Sequence, residues 1–271
     1  MVKQKSILTL LAAFGLFFSS CGGRASSDPS IPSASSDSPE KRGEQIVAEY
    51  LKRDAAPYRK MRVRFTIKAE GEADKVYEVD NWRKQTADTT STLSQIVKPA
   101  DESDLASLTI EPKGQKATVV TYAASRGDFR ETGTNKMFFG GLTAGELLGE
   151  WDKYVFKLVG EKGTNGDKVL EVEGGLKPGA ESVASRINVL FRADNYVPLE
   201  LHLFDPAGRE IRTYVLSDIK GDAQHPYAAR TEVDNPVYKA KIVIEILSRE
   251  LPQTIDDAIF SREKLKELSK G

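Results

Sequence analysis

Apolar and polar residues alternate repeatedly along this chain. The alternation is cleanest at residues 61–70, MRVRFTIKAE, where every second residue is apolar and those between are charged or polar. A period of two places successive side chains on opposite faces of a β-strand. Phe65 is therefore predicted to lie on the dry face of this strand. A strand of this kind belongs to an antiparallel sheet with one face in water and the other in a core.

The same alternation recurs along most of the chain. Clear strands are predicted around 186–192, 199–203 and 241–246, and weaker candidates are 75–85, 92–98, 105–111, 116–123, 153–159, 167–173, 210–217 and 227–233. Turn sequences separate many of them, such as EPKG at 111–114 and DPAG at 205–208. About eleven or twelve strands at this spacing predict a mainly β (α+β) fold. Accumulated twist is expected to curl such a meander into a curved antiparallel half-barrel.

Three short helices are predicted to act as lids on the dry, concave face. They span 39–53, 143–149 and 262–269. Ser38 and Ser261 directly precede the first and third predicted helices, where a serine side chain can cap the helix. Pro39 suits the first helical position. The first helix carries an apolar stripe at helical spacing. These helices are too few and too short to cover a large dry face completely, so we expect a cavity beneath them.

The amino terminus has the pattern of a secretory signal. Two lysines precede an apolar run of about 12 residues, and small residues surround Cys21, the only cysteine. Residues 1–20 are predicted to be a lipoprotein signal peptide, with Cys21 as the lipidated first residue of the mature protein. An ordinary cleaved signal with an incidental cysteine is the alternative. Residues 21–38 are rich in serine, proline and glycine and predict a flexible tether. The folded domain is predicted over 39–271.

Charge and composition exclude several functional classes. The chain has 39 basic and 40 acidic residues, so it lacks the overall positive charge typical of nucleic-acid binding. One cysteine excludes an internal disulfide and a cysteine-rich zinc site, and no cofactor or metal is predicted. No glycine-rich phosphate loop or GxSxG motif occurs. We therefore predict a binding protein rather than an enzyme. A hydrolase using His202 or His225 is the alternative.

Two segments carry candidate ligand contacts. Arg126 and Arg130 stand four residues apart and could clamp an anionic head group, or could be ordinary loop charges. Further on, two phenylalanines precede two glycines and a leucine, and the apolar members of this segment are Phe138, Phe139 and Leu142. Two adjacent phenylalanines cannot both face one side of a strand. The segment is either a core plug beside a bend or a movable apolar wall at a cavity mouth.

Four segments resemble the LolA/LolB-like family of outer-membrane lipoprotein-sorting proteins. The chain enters through a helix and the strand MRVRFTI at 61–67. A strand ending at Tyr122 leads through 126–130 to FFGGLT at 138–143. A hairpin with a proline-containing strand and a DPAG turn follows at 195–209, and IDDAIF at 255–260 precedes a short helix. This resemblance covers nearly the whole predicted domain.

The resemblance implies a half-barrel around a hydrophobic cavity that holds acyl chains. Phe65, Phe138, Phe139 and Leu142 are the candidate cavity residues. The expected partners are a membrane, through lipid on Cys21, and an acyl chain of a lipid or lipoprotein. The expected location is the outer membrane, on the side that faces the periplasm. The expected role is in lipoprotein sorting or another function of a resident outer-membrane protein. An envelope interaction or stress-sensor module with a closed core and no ligand is the alternative. The oligomeric state is left open.

Overall fold

The computed structural model describes residues 37–54, 56–100, 105–124, 126–135, 137, 139–164 and 167–269. The predicted signal peptide and nearly all of the predicted tether lie outside these residues, and so do Cys21 and Phe138. The boundaries placed after residues 20 and 38 therefore stay predictions. No helix among the described residues is long and apolar enough to cross a membrane.

The described chain forms one open antiparallel sheet with three α-helices, which confirms the predicted fold class. The helices are α1 (Pro39–Asp54), α2 (Ala144–Leu148) and α3 (Arg262–Leu268). The sheet has thirteen strands rather than the predicted eleven or twelve. In chain order, β1 to β13 are Tyr58–Ala69, Lys75–Gln85, Thr89–Lys98, Ala106–Pro112, Thr118–Ala123, Asp128–Thr132, Tyr154–Thr164, Asp167–Leu176, Arg186–Arg192, Pro198–Phe204, Glu210–Lys220, Tyr227–Asn235 and Ala240–Glu250.

The order of the strands explains why a lid exists. From β1 the chain winds outward to β6 at one edge of the sheet. It then crosses to β7 at the other edge and winds back to β13, which pairs with β1. The connection between β6 and β7 contains α2 and must pass over one face of the sheet. Leu142 in this connection packs with Phe65 and Ile242, so the connection covers the concave face.

The predicted helix caps are present. The Ser38 hydroxyl accepts a hydrogen bond from the Lys41 N–H at 3.3 Å, and the Ser261 hydroxyl accepts one from the Lys264 N–H at 3.1 Å. At α2, the Thr143 hydroxyl accepts from the Glu146 N–H, while the Glu146 carboxylate accepts from the Thr143 N–H. This reciprocal capping box stabilises a helix of only five residues.

Helix α1 packs tightly beside strand β7, at the edge of the sheet. Its carboxylate Glu44 accepts a hydrogen bond from the Phe156 N–H of β7 at 2.8 Å. A Cβ atom on Gly43 would lie 2.5 Å from the Lys157 Cα, so only glycine permits this approach. An open strand edge is a site of unwanted pairing with other chains. The hydrogen bond to Glu44 occupies the backbone N–H of Phe156 in this edge strand, so that N–H is not available to pair with another chain.

Helix α3 covers the opposite, convex face. Thr92 and Ser94 line the concave side, so Leu93 between them points to the other side. Leu93 lies in a core cluster with Leu108 and with Leu265 of α3. The third helix, which the sequence placed among the lids, thus packs mainly in a separate small core, and of this helix and its caps only Ser269 lines the cavity.

Candidate functional site

A cavity of about 1130 Å³ lies on the concave face of the sheet. On the side of the helices it is bounded by Tyr50 and Leu51 of α1, by Ala144 and Glu146 of α2, and by Trp151. Pockets for small ligands run from about 300 to 1,000 Å³. The cavity is thus slightly larger than this range and is large enough for a small-molecule ligand.

Most of the apolar lining comes from the central strands of the sheet. These residues lie on alternate positions of β1, β10, β11 and β13, and they include Met61, Val63, Phe65, Leu201, Leu203, Leu216, Ile244 and Ile246. Phe65 is 7% exposed and lines the cavity, so it lies on the dry face as the alternation predicts. The central strands therefore supply a surface on which a hydrocarbon chain can be buried.

Gly140, Gly141 and Leu142, which precede α2, form a plug in the core beside a bend. Leu142 is fully buried in the cluster that contains Phe65 and is not among the cavity-lining residues. Gly140 has a φ of 61°, and a Cβ on it would lie 2.8 Å from Ile242. The backbone of Phe139 begins a 3₁₀ turn here, while its side chain lies outside what the structure describes. The glycines allow the plug to lie directly against the sheet.

A buried ion pair holds α2 onto the sheet. The guanidinium of Arg212 lies 2.5 Å from the Glu146 carboxylate, and the two side chains are only 5% and 4% exposed. The same guanidinium donates to the Asn235 side-chain oxygen at 2.9 Å and to the Gly141 carbonyl at 2.6 Å. The Tyr214 hydroxyl donates to Glu146 at 2.9 Å, and burial, with the charge of Glu146, raises the pKa of Tyr214 well above its ordinary value. These contacts connect the plug to helix α2 and to strands β11 and β12.

The lining changes from apolar to polar along the strands. On β1 the cavity-facing residues are Phe65, Val63, Met61 and finally Arg59. On neighbouring β2 to β5 the residues toward this end are Asn81, Arg83, Thr92, Ser94, Ser107, Thr109 and Thr121. One end of the cavity is therefore a hydrocarbon surface and the other presents guanidinium, amide and hydroxyl groups.

Carboxylates also reach the polar end. Glu111 of β4 lines the cavity, and burial raises the pKa of its carboxyl, with Arg83 acting in the opposite direction. The charges of Asp152 and Glu150, from the segment after α2, raise this pKa further. Glu150 itself pairs with Lys153 at 2.6 Å. Glu150 and Asp152 also line the cavity, so three carboxylates belong to its walls.

The remaining candidates from the sequence have simpler surroundings. Arg126 and Arg130 both line the outer edge of the cavity, and Arg126 pairs with Asp128 at 3.2 Å. His202 lies between Glu200 and Glu210 on the sheet surface, and His225 contacts Asp222 in a turn. Among the described residues, no group of three or more histidine, cysteine or acidic side chains could hold a metal ion.

Residues 88–267 match a family model described as an uncharacterized protein. The chain belongs to this family. The match begins just before β3, covers strands β3 to β13 and the connection that contains α2, and ends within α3. No curated protein matches the sequence.

Solved structures share this fold over their full length. A DUF1329 family protein from Desulfovibrio piger is similar with a TM-score of 0.77 and 19% identity, over 84% of this chain and 100% of that one. A putative outer membrane lipoprotein-sorting protein domain from Vibrio parahaemolyticus has a TM-score of 0.75 and 16% identity, over 84% and 99%. A LolA superfamily protein from Nitrosomonas europaea has a TM-score of 0.66 and 13% identity, over 82% and 98%. The chain has a LolA-like fold.

Proposed function

We propose that this protein is a lipid-anchored envelope protein that binds an acyl chain in its concave cavity. The cavity carries the proposal, because its 1130 Å³ lie against a continuous apolar sheet surface. Hydrocarbon transferred from water to such a surface is stabilised by about 0.8 kcal/mol per methylene. The acyl chain would come from a lipid or a lipoprotein, and the protein would act by binding rather than by catalysis.

Similar proteins support an envelope role. The Vibrio parahaemolyticus structure is described as a domain of a putative outer membrane lipoprotein-sorting protein. Together with the basic, apolar and small-residue pattern that ends at Cys21, this favours a protein on the periplasm-facing outer membrane. The open space on the concave face favours a ligand-binding protein over an interaction or stress-sensor module with a closed core.

Affinity for fatty acids is expected to rise with chain length until the cavity is full. Each added methylene should tighten binding by about fourfold, from about 0.8 kcal/mol per methylene. Fatty acids of increasing length displace an uncharged fluorescent apolar probe from the predicted domain, residues 39–271, and their affinities are measured from this displacement. A lack of saturable probe binding to the folded protein would contradict the proposal.

A matched pair of variants locates the binding site. Leu216 lines the cavity, whereas its neighbour Val215 is 44% exposed on the other face. Leu216→Trp should place a bulky ring over the apolar wall of the cavity and lower probe affinity by about tenfold or more, a loss of at least about 1.4 kcal/mol. Val215→Trp adds the same side chain outside and should leave binding unchanged. If Leu216→Trp and Val215→Trp changed probe affinity equally, the probe would bind outside the cavity.

Lipidation at Cys21 is tested separately. Stable membrane anchoring requires two or more acyl chains, so losing the modified cysteine should release the protein from the membrane. We expect cells fed a clickable fatty acid to label the wild-type protein and not Cys21→Ser. The unlabelled variant should also move from the membrane fraction to the soluble fraction. Equal labelling of the two proteins would exclude Cys21 as the site.

A further inference from the structure

We propose that the ligand of this cavity is a lipid with an uncharged head group of the acylglycerol type, bound by a patch of neutral hydrogen-bonding side chains. This inference rests on the proposed acyl-binding function and specifies the class of lipid. The hydroxyl patch lies on strands β2 to β5, and all of its members line the cavity: Asn81, Thr92, Ser94, Ser107, Thr109 and Thr121.

Strand register builds the hydroxyl patch from two adjacent rows. In the first row, Asn81 of β2 lies opposite Ser94 of β3, and Ser94 lies opposite Ser107 of β4. Ser107 in turn lies opposite Thr121 of β5. Neighbouring strands are about 4.8 Å apart, so this row crosses about 14 Å of the sheet. Three hydroxyls and an amide therefore face the same part of the cavity.

The second row contains the observation that points most directly to a ligand. Thr92 of β3 lies opposite Thr109 of β4, and both threonines are more than nine-tenths buried. The Thr92 hydroxyl has no hydrogen-bond partner among the described residues. A buried hydroxyl without a partner is costly, so in native proteins such a group indicates a bound ligand or water. The hydroxyl and ester oxygens of a glycerol head group would accept this hydrogen bond.

The first row also offers hydrogen bonds to a ligand. The Asn81 side-chain amide donates to the Ser94 hydroxyl oxygen at 3.0 Å. The Ser94 hydroxyl keeps its own hydrogen for another acceptor, since a hydroxyl can donate one hydrogen bond and accept two. Burying hydroxyls against hydrocarbon is costly, so a wall that only covered an acyl tail would carry apolar side chains here. The hydroxyl patch therefore fits a polar group rather than a tail.

Charged side chains beside the hydroxyl patch already face opposite charges of the protein. Arg83 lies opposite Arg59, and its charge acts on the cavity-lining carboxyl of Glu111. The carboxylate of Glu150, also on the cavity wall, pairs with Lys153 at 2.6 Å. An ionic head group would compete with these interactions, whereas an uncharged head group leaves them intact. The charge pattern therefore favours a neutral ligand.

The hydroxyl patch adjoins the apolar part of the lining, as an acylglycerol requires. Val79 of β2 lies opposite Ile96 of β3, and both line the cavity. Two residues away on the same strands stand Asn81 and Ser94. Met61 of β1, another apolar lining residue, lies opposite Asn81. An acyl chain packed against the apolar lining would therefore place its glycerol group directly on the hydroxyl patch.

Competition against an uncharged fluorescent apolar probe tests the head group. The competitors are monolauroylglycerol, methyl laurate and laurate, which share one acyl chain and differ only at the head. We expect monolauroylglycerol to compete about tenfold better than methyl laurate, as one or two added hydrogen bonds predict. Laurate should show no such advantage over methyl laurate, because its carboxylate would have to leave water without a free counter-charge in the cavity.

Variants that remove hydroxyls without changing side-chain shape assign the advantage to the hydroxyl patch. In a double variant, Thr92→Val with Thr109→Val, the advantage of monolauroylglycerol should fall to about twofold or less, while affinity for methyl laurate should not fall. The thermal midpoint should not fall either, since a partnerless buried hydroxyl is replaced by a methyl group. Thr66→Val is the matched control, because Thr66 follows the cavity-lining Phe65 and so lies on the other face of β1.

The outcomes separate this inference from the function on which it rests. If the three ligands displace the probe from wild-type protein equally well, or if laurate competes best, the head-group proposal is wrong and the acyl-binding function stands. An advantage that survives in the double variant would also overturn the assignment to the hydroxyl patch. If neither the probe nor any of the ligands binds, both proposals are wrong. The ligands are compared on wild-type protein, so the first conclusion does not depend on how well a variant folds.

Discussion

Replacing Arg212 with methionine is expected to lower the free energy of unfolding by about 3–5 kcal/mol. The substitution leaves the Glu146 carboxylate buried without the guanidinium that lies 2.5 Å from it. It also removes the donors to Asn235 and to the Gly141 carbonyl, which hold the plug against the sheet. Methionine fills a similar volume, so the loss reports the polar contacts rather than a void. Urea denaturation followed by circular dichroism measures it.

The control for this substitution is the same change at an exposed pair. Arg62 makes two hydrogen bonds to Asp80, at 2.7 and 2.8 Å, but its side chain is 46% exposed. Exposed pairs contribute about 0–1 kcal/mol, so Arg62→Met should have a small effect. Adding Glu146→Gln to Arg212→Met removes the orphaned charge and should restore part of the stability. Similar losses for both single variants would show that burial does not set the strength of the Arg212 pair.

The sequence predicted the sheet well because one face of most strands is apolar. The strand it missed is β6 (Asp128–Thr132), a five-residue edge strand. Three of its five residues are charged, and none of the five is buried. A strand that pairs on one side and buries little carries no alternation, so hydropathy cannot reveal it. It pairs with β5 through the backbone and through the contact between the Phe129 and Tyr122 rings, whose centres lie 5.0 Å apart.

The candidate site was only partly predictable. Alternation placed Phe65 on the concave face, because that information is local to one strand. The opposition of Arg59 and Arg83 depends on the register between β1 and β2, which no pattern within either strand specifies. Arg59 also precedes the segment where alternation is clear. The path of the lid across the concave face is likewise a property of the strand order, since it follows from β6 and β7 lying at opposite edges.

Phe191→Ala is expected to lower the free energy of unfolding by about 5 kcal/mol, the upper end of the range for buried phenylalanines. Phe191 is fully buried in β9 and is packed between the first helix and the sheet. Its ring centre lies 5.9 Å from that of Tyr50 and 6.1 Å from that of Trp151. Removing it opens an enclosed void and weakens contacts of aromatic pairs, each of which contributes about 0.5–1.5 kcal/mol beyond burial.

Phe65→Ala provides the comparison, because the same side chain is removed beside an existing cavity. Phe65 is 7% exposed and lines that cavity, so its removal enlarges a space that is already open rather than creating a new one. The cost of a truncation rises with the volume of the void that remains. We therefore expect a loss of about 3 kcal/mol, measured by the same urea denaturation, and a loss at Phe65 as large as that at Phe191 would indicate a closed core around Phe65. A bound acyl chain should stabilise wild-type protein more than Phe65→Ala, since the ligand would pack against the ring that the variant lacks.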